Sequence, residues 1–337
     1  MNSVATLSKQ ERAGLFRATA EHMRFHPVNV EKDFWVCWLL KQLYSIPEFE
    51  DMLVFKGGTS LSKCFNLIHR FSEDIDLAVN FEKLGFIYDK DPRQTNLSNT
   101  RRQRLLGEML VACQNYIAGP FLKFLSARIK NVLGDTDWIL EISSEDPHTV
   151  NFVYPGATNS RLAYIHPHVT LELGTHAEPI PNSICDVQPY AAKHYPDVFM
   201  EPSCSVTTVV AKRTFWEKAT ILHAEYFRSL DKPLPIRYSR HYADLASMTQ
   251  VSVKDEALKD IDLLHDVCVH KDRFYHCGWA RYMEACPGSF HILPRAERLA
   301  ALQKDYRAMK VMFFYSVPEF DSILEKLANL ESELNSK

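Results

Sequence analysis

Two aspartates, Asp74 and Asp76, stand one residue apart in the segment SEDIDLAVN. The apolar residues Ile75, Leu77 and Val79 alternate with them, which predicts a strand with both carboxylates on one face. Carboxylates are the oxygen ligands that Mg²⁺ prefers when it also binds the phosphates of a substrate. The pair therefore indicates metal-dependent chemistry, provided that a phosphate site lies beside it.

A candidate phosphate site lies just upstream, in LVFKGGTSLSK. Gly57 and Gly58 follow a short apolar strand and allow a sharp turn with close approach of the backbone to a ligand. Thr59 and Ser60 offer hydroxyls and an N-cap for the helical pattern that comes next. Because first-turn N–H groups and the helix dipole attract anions, we predict that these four residues bind the phosphates of a nucleotide.

Other phosphate and metal motifs fail on residue counts. GGTSLSK lacks the GxxxxGK[ST] spacing of a P-loop, and an EF-hand beginning at Asp74 would place Val79 where glycine is needed and Gly85 where glutamate is needed. The remaining alternative is a solvent-facing edge strand with two exposed aspartates. The Gly-Gly-Thr-Ser segment upstream argues against it.

A third carboxylate is predicted on a later strand. Strand-like runs occur at 138–142, 150–154 and 169–173, and in the last of them Glu172 lies on the face opposite to Val169, Leu171 and Leu173. If this strand lies beside the Asp74 and Asp76 strand, the three acids converge. The alternative is a glutamate exposed on a strand.

Helical patterns must position these strands. Residues 6–24 predict a helix that Pro27 stops, and residues 31–44 predict a substantially buried helix. Two further helices are predicted at 100–118 and 121–133, separated by Gly119-Pro120.

The middle of the chain contains a change of pattern. Residues 175–206 hold several prolines without a clear period, which predicts a long loop that links a sheet-containing half to a helical half. A strongly helical pattern then runs over 209–228.

The composition is that of an ordinary globular protein, with 46% hydrophobic and 24% charged residues among 337. Apolar runs are shorter than the roughly 20 residues that cross a bilayer, and the N-terminal segment lacks a signal-peptide core. The eight cysteines show no CxxC pairs. We expect a cytoplasmic protein with reduced thiols and no membrane partner.

The net charge of −3 gives no overall attraction to nucleic acid. Binding to RNA would need local basic patches. Candidate patches are Arg101, Arg102 and Arg104, and the pair Lys212 and Arg213.

The order of GG[ST], a helix and Asp-x-Asp resembles the DNA polymerase β-like nucleotidyltransferase superfamily. The fuller KGGTSLSK and RFSEDIDL segments are similar to the AbiEii/AbiGii toxin family within it. Similar segments continue along the chain: EKDFWVCWLL at 31–40, NFVYPG at 151–156, HVTLELG at 168–174, RTFWEKATILHAEYFR at 213–228, RYSRHYADL at 237–245 and DYRAMKVMF at 305–313.

This resemblance implies an α/β (α+β) fold, with a small mixed β-sheet nucleotidyltransferase core flanked by helices. The core is expected at 1–205, and a mostly helical C-terminal domain at 206–337. The implied metal ligands are Asp74, Asp76 and Glu172, which also form the catalytic set together with Lys218 and Asp244.

Lys218 corresponds to a family lysine, and a compact lysine charge suits a triphosphate. The implied nucleotide-binding set adds Lys63, Arg70, Ser72 and Arg240 to the Gly57–Ser60 segment. Without the resemblance, the residues predict that Lys218 is a surface lysine and that Arg240 and Asp244 form an i,i+4 salt bridge. His241 stands where the family often has an acid, so Asp244 is the better match.

The resemblance also implies the function. The expected protein is the toxin of a toxin–antitoxin pair, which uses Mg²⁺ (or Mn²⁺) to transfer a nucleotide from an NTP to the 3′ end of an RNA, with tRNA favoured. A cognate antitoxin protein is the expected partner. The alternatives are a protein or small-molecule acceptor, or a catalytically silent nucleotide-binding module.

Overall fold

The computed structural model describes residues 1–158, 167–313 and 316–336. Its contacts divide the chain into two units. The first comprises Met1–Cys64, Phe71–Asp91 and Ser98–Val209. The second comprises Phe65–Arg70, Pro92–Leu97 and Val210–Lys337. The main division thus falls after Val209, and two short segments from the first half of the sequence belong to the second unit.

The first unit is built on a seven-stranded mixed sheet of order β3-β4-β5-β2-β1-β7-β6. Strands β2 and β5 are parallel, as are β1 and β7, while the other neighbours are antiparallel. The mixed α/β core predicted from the sequence is confirmed. The strands are β1 (Leu53–Lys56), β2 (Ile75–Val79), β3 (Ile139–Ile142), β4 (Thr149–Val153), β5 (His168–Gly174), β6 (Asn182–Val187) and β7 (Cys204–Val209).

Helices pack around this sheet. They are α1 (Asn2–Ala5), α2 (Lys9–Met23), α3 (Pro27–Leu43), α4 (Gly57–Lys63), α5 (Asn99–Tyr116), α6 (Leu122–Leu133) and α7 (Tyr190–His194).

The predicted N-terminal helices exist with shifted ends. Ser8 caps α2 in a capping box with Glu11, and α2 ends when Arg24 adopts a left-handed conformation. Pro27 does not merely stop a helix, because it occupies the first turn of α3, where its missing N–H costs nothing. The buried helix therefore starts before Glu31.

Helix α3 is the centre of the core and is buried almost all round. Trp35 and Trp38 are fully buried, and the ring of Trp38 stacks on Phe152 of β4 with centroids 5.7 Å apart. A helix that is enclosed on all sides leaves little freedom for the strands packed on it. It can therefore fix the positions of several segments at once.

Gly119-Pro120 was expected to end a helix, and this expectation is wrong. Residues Ile117–Phe121 form a π-helical turn that joins α5 to α6 without a break. A π turn changes the hydrogen-bonding ladder locally, so it can accommodate a proline that lacks an N–H.

The long loop predicted at 175–206 is also wrong. This stretch contains β6, α7 and the start of β7, and β6 pairs with β7 from Asn182 opposite Val209 to Val187 opposite Cys204. The prolines lie outside these strands, where they remove no ladder hydrogen bond.

The second unit is mostly helical, as expected. Among the described residues, no helix is long and apolar enough to cross a membrane. The helices of this unit are α8 (Ala211–Phe227), α9 (Ser239–Met248), α10 (Ser252–Leu258), α11 (Ile261–Phe274), α12 (Leu299–Met309) and α13 (Phe320–Asn335).

Candidate functional site

A row of polar residues crosses four strands of the sheet. Asp76 on β2 lies directly opposite Glu172 on β5 and opposite Lys56 on β1, and Glu172 lies opposite Thr149 on β4. Residues directly opposite one another point to the same face, about 4.8 Å apart from strand to strand. The sheet thus brings two of the three predicted acids side by side.

Gly57 is where the chain turns from β1 into α4. Its φ is +81°, and a Cβ atom there would lie 1.9 Å from Oδ2 of Asp76. Glycine is needed for both reasons, because other residues disfavour this φ and because the carboxylate occupies the space of a side chain. Gly57 thus makes the sharp turn that the sequence predicted, and Gly57 and Gly58 are also the first two residues of α4.

The hydroxyls predicted to bind phosphate make internal hydrogen bonds. Thr59 is buried, and its Oγ1 donates to the carbonyl oxygen of Asp74 at 2.5 Å and lies 3.0 Å from Oγ of Ser72. The Ser60 hydroxyl donates to the carbonyl oxygen of Gly57 at 2.9 Å. Thr59 therefore positions Asp74 relative to α4. Phosphate binding by this segment stays a prediction, and its backbone N–H groups are the donors that these hydroxyl contacts do not use.

Hard oxygen donors are present for a divalent cation. Asp76 and Glu172 are adjacent, and Asp74 immediately precedes β2, two residues from Asp76. Within the described ranges, no three acidic, histidine or cysteine side chains are grouped closely enough to form a complete metal site. Mg²⁺ commonly takes one or two carboxylates and completes its shell with water and substrate phosphates, so the adjacent pair suits it.

Lys63 was predicted to bind the nucleotide, and the structure places it in a buried ion pair. Its Nζ lies 2.6 Å from Oδ1 of Asp33 and 3.8 Å from the ring centroid of Tyr190, and its side chain is 3% exposed. Although burial opposes the charge, Asp33 raises the pKa of Lys63 above its ordinary value. Lys63 is therefore an internal ion-pair partner, and its assignment to nucleotide binding stays a prediction.

The second unit contains a buried cluster of predicted site residues. Asp244 on α9 accepts hydrogen bonds from Nε and Nη2 of Arg70, at 2.7 and 2.8 Å, and from Nζ of Lys218 on α8, at 2.8 Å. Burial alone would raise the pKa of Asp244, but Arg70 and Lys218 hold it well below its ordinary value. The carboxylate is thus ionised at neutral pH and orients both cations.

Arg240 and His241 lie on α9 beside this cluster. Burial, with the charges of Lys218 and Arg240, lowers the pKa of His241 well below its ordinary value, and its Nδ1 is buried without a hydrogen-bond partner. The imidazole is therefore neutral and does not replace the acid that the resembling family often has here. Arg240 is half-buried. Among the described residues, the i,i+4 salt bridge between Arg240 and Asp244 is not formed, and Asp244 binds Arg70 and Lys218 instead.

One of the two predicted basic patches, the pair Lys212 and Arg213, is not an exposed basic surface. Arg213 is 2% exposed and its Nε lies 3.1 Å from Oε1 of Glu217, while Lys212 pairs with Asp260 at 2.5 Å. In contrast, Arg101 and Arg104 are exposed on α5.

Sequence reasoning missed Lys56, which faces Asp76 across β1 and β2. The sequence contained a signal for this contact. If LVFK and IDLAV pair as antiparallel strands, Lys56 at the end of the first can lie opposite Asp76, the second residue of the other. It also missed the buried pair of Lys32 and Glu73, whose Nζ and Oε2 are 2.7 Å apart.

One comparison with known proteins identifies the family of the chain. A family model described as nucleotidyl transferase AbiEii toxin, type IV toxin–antitoxin system, matches residues 38–326. The match spans most of the chain, so the chain belongs to the AbiEii family of nucleotidyltransferase toxins. Membership confirms the resemblance seen in the sequence, and it makes the protein an enzyme of a toxin–antitoxin system with a nucleotide substrate and an antitoxin partner.

Among solved structures, the chain is similar to the nucleotidyltransferase toxin MenT4 of Mycobacterium tuberculosis H37Rv. The identity is 15% and the TM-score 0.44, over 95% of this chain and 98% of that one. The comparison with curated proteins gave no match.

The contact between Gly57 and Asp76 gives a test of the site. Gly57→Ala is expected to lower nucleotide transfer by about 100-fold, because the new Cβ must displace the Asp76 carboxylate. Steady-state transfer rates measure the effect. Gly85→Ala is the matched control, since Gly85 has φ +91° but no atom within 4 Å of the added Cβ. Equal losses in both variants would show that backbone strain alone matters.

Proposed function

We propose that the protein transfers a nucleotide from an NTP to a hydroxyl acceptor, with the adjacent Asp76 and Glu172 as the acidic centre and Asp74 as the third acid that the family resemblance implies. The observation that carries the proposal is the register that sets Asp76 beside Glu172, together with the glycine at the start of α4 that makes room for the Asp76 carboxylate. The family supplies the class of reaction.

The residues of the site take separate roles in this proposal. Asp76 and Glu172, with Asp74, would hold Mg²⁺ (or Mn²⁺), which supplies charge neutralisation at the phosphates when bound. The first-turn N–H groups of α4, including Gly58, contact the phosphates. For Lys218 we propose the role of the matching family lysine, which is to counter triphosphate charge; one of its three N–H donors binds Asp244.

We propose an RNA 3′ end as the acceptor, with tRNA favoured, and the cytoplasm as the place of action. The exposed arginines of α5 support an RNA acceptor. A protein or small-molecule acceptor is the second candidate, favoured by the net charge of −3, which gives no general attraction to RNA.

Incubation with each labelled NTP, Mg²⁺ and either total RNA or cell lysate tests the proposal. Label on RNA, lost when Mg²⁺ is chelated, is the expected result. Label on protein in RNase-treated lysate, with none on RNA in the untreated sample, would overturn the RNA acceptor. No label anywhere with any NTP would overturn the proposed reaction.

The arginines of α5 give a finer test of the acceptor. Arg101→Glu with Arg104→Glu is expected to weaken acceptor use and to reduce the slope of its salt dependence by about 2, roughly one for each lost phosphate contact. The measurement is KM for RNA between low and moderate salt. Lys130→Glu on α6, which removes an exposed cation paired with Asp135, is the control. Equal salt slopes for the wild type and the double variant would remove α5 from the RNA surface.

A further inference from the structure

Three consecutive charged residues, Glu31, Lys32 and Asp33, lie in the interior at the start of α3. Each is at most 2% exposed. Charged side chains are almost never buried to this extent unless each has a partner. All three have partners, and each partner lies in a different segment of the first unit.

Lys32 is paired with the residue that precedes Asp74. Its Nζ lies 2.7 Å from Oε2 of Glu73, and the two side chains are 1% and 3% exposed. Glu73 is covalently joined to Asp74, and β2 with Asp76 begins two residues later. The pair therefore fixes the entry to the strand that carries the acids.

Asp33 is paired with the last residue of α4. Its Oδ1 accepts from Nζ of Lys63 at 2.6 Å, and its Oδ2 accepts from the backbone N–H of Tyr190 at 2.7 Å. Helix α4 begins at Gly57, so this contact holds its far end while the sheet holds its near end.

Glu31 holds the segment that follows β4. It accepts from the backbone N–H groups of Ala157, at 2.5 Å, and Thr158, at 2.9 Å, and from the Thr158 hydroxyl. Strand β4 ends at Val153, opposite His168 of β5, and β5 is the strand that carries Glu172. The third contact thus acts on the neighbour of the strand that carries the third acid.

Helix geometry explains how one turn can reach three segments. Consecutive residues of an α-helix point about 100° apart, so three of them radiate over more than half of its circumference. The free energy of folding does not explain why these three positions carry charged residues, because well-packed apolar residues often stabilise a core as well as a buried ion pair does. What a charge pair adds is a defined direction and distance.

We propose that Glu31, Lys32 and Asp33 are positioning residues, which align the acid-bearing strand entry, helix α4 and the β4 end for nucleotide transfer. The reaction they serve is that of the proposed function. The two ion pairs have distinguishable effects, since Lys32 acts on the acids and Asp33 acts on the phosphate-binding helix.

The double variant Lys32→Met with Glu73→Leu tests the first pair, because it removes both charges and leaves apolar groups that can pack. We expect a folded protein with thermal unfolding near that of the wild type, kcat for transfer lowered by about 10- to 100-fold, and an unchanged KM for NTP. Hydrogen exchange of the amides of residues 71–76 should become faster. Wild-type kcat together with wild-type exchange in the folded variant would overturn the proposal.

The double variant Asp33→Leu with Lys63→Met tests the second pair and is expected to raise KM for NTP more than it lowers kcat. Lys41→Met is the control for both, because Lys41 lies at the other end of α3 and pairs with the exposed Glu201. It should leave kcat, KM and exchange unchanged.

Two further outcomes have to be covered: a double variant that does not fold and a wild-type protein without transfer activity. If the Lys32 double variant does not fold, Glu73→Gln retains the shape and one hydrogen bond, and a drop in kcat with faster exchange is again expected, while wild-type values overturn the proposal. If the wild-type protein itself transfers no nucleotide, the proposed function fails. Hydrogen exchange over residues 71–76 then decides the positioning role by itself.

Discussion

Replacing Asp76 by asparagine is expected to lower nucleotide transfer by about 100- to 1000-fold while the protein stays folded, a loss typical of removing a group that stabilises transition-state charge. Asparagine keeps the shape of the side chain beside Gly57 but removes the negative charge opposite Glu172. The measurements are kcat and its dependence on Mg²⁺ concentration, with circular dichroism to follow folding.

Glu141→Gln is the matched control, because Glu141 is an exposed strand acid on β3 of the same sheet. It should transfer nucleotide at the wild-type rate. Glu172→Gln is expected to act in the same direction as Asp76→Asn, since the two carboxylates are neighbours. Near wild-type transfer and unchanged Mg²⁺ dependence in both site variants would place the acidic centre elsewhere.

The part of the site that could be predicted from the sequence is the part that local patterns determine. The alternation of apolar and polar residues predicted that Asp76 and Glu172 lie on strands. The family resemblance implied that these two strands bring their acids together. The register between β2 and β5 is consistent with that pairing and aligns the two acids residue for residue.

What could not be predicted depends on contacts between residues distant in the sequence. Lys63 lies in the predicted phosphate-binding motif by position, but its direction is decided by Asp33, thirty residues upstream on α3. Arg213 belongs to a basic pair by sequence, but one turn of α8 brings it to Glu217 and the fold buries it. Burial and pairing are properties of the assembled core, which a local pattern does not contain.

The failed loop prediction has a similar cause. The stretch Asn182–Val187 is exposed along most of its length and has no clean alternation of apolar residues. It is a strand because it pairs with β7 at the edge of the sheet, where one face and one edge remain open to solvent. Strand formation of this kind is decided by the partner and not by its own sequence.

Replacing Asp244 by asparagine is expected to destabilise the protein by about 3–5 kcal/mol at pH 7, the usual effect of removing one partner of a buried ion pair. Asparagine fits the same space but removes the negative charge that Arg70 and Lys218 both bind in the interior. Urea unfolding measures the loss. Asp255→Asn, at an exposed position on α10, should change the free energy of unfolding little.

The destabilisation should depend on pH in a defined direction. The pKa of Asp244 is depressed in the folded protein, whereas an unfolded chain has a value of about 3.9. Its ionisation therefore contributes stability that is fully present above about pH 3.9 and is lost as the pH falls towards the folded-state pKa, because the unfolded chain then binds the proton more readily.

The difference in unfolding free energy between the wild type and Asp244→Asn isolates this contribution from the other carboxylates. We expect the difference to be constant between about pH 7 and pH 5 and to shrink below about pH 4. Asp255→Asn should follow the wild type over the whole range. A constant difference down to about pH 3 would mean that the charge of Asp244 is not what holds Arg70 and Lys218, and that the asparagine acts through packing instead.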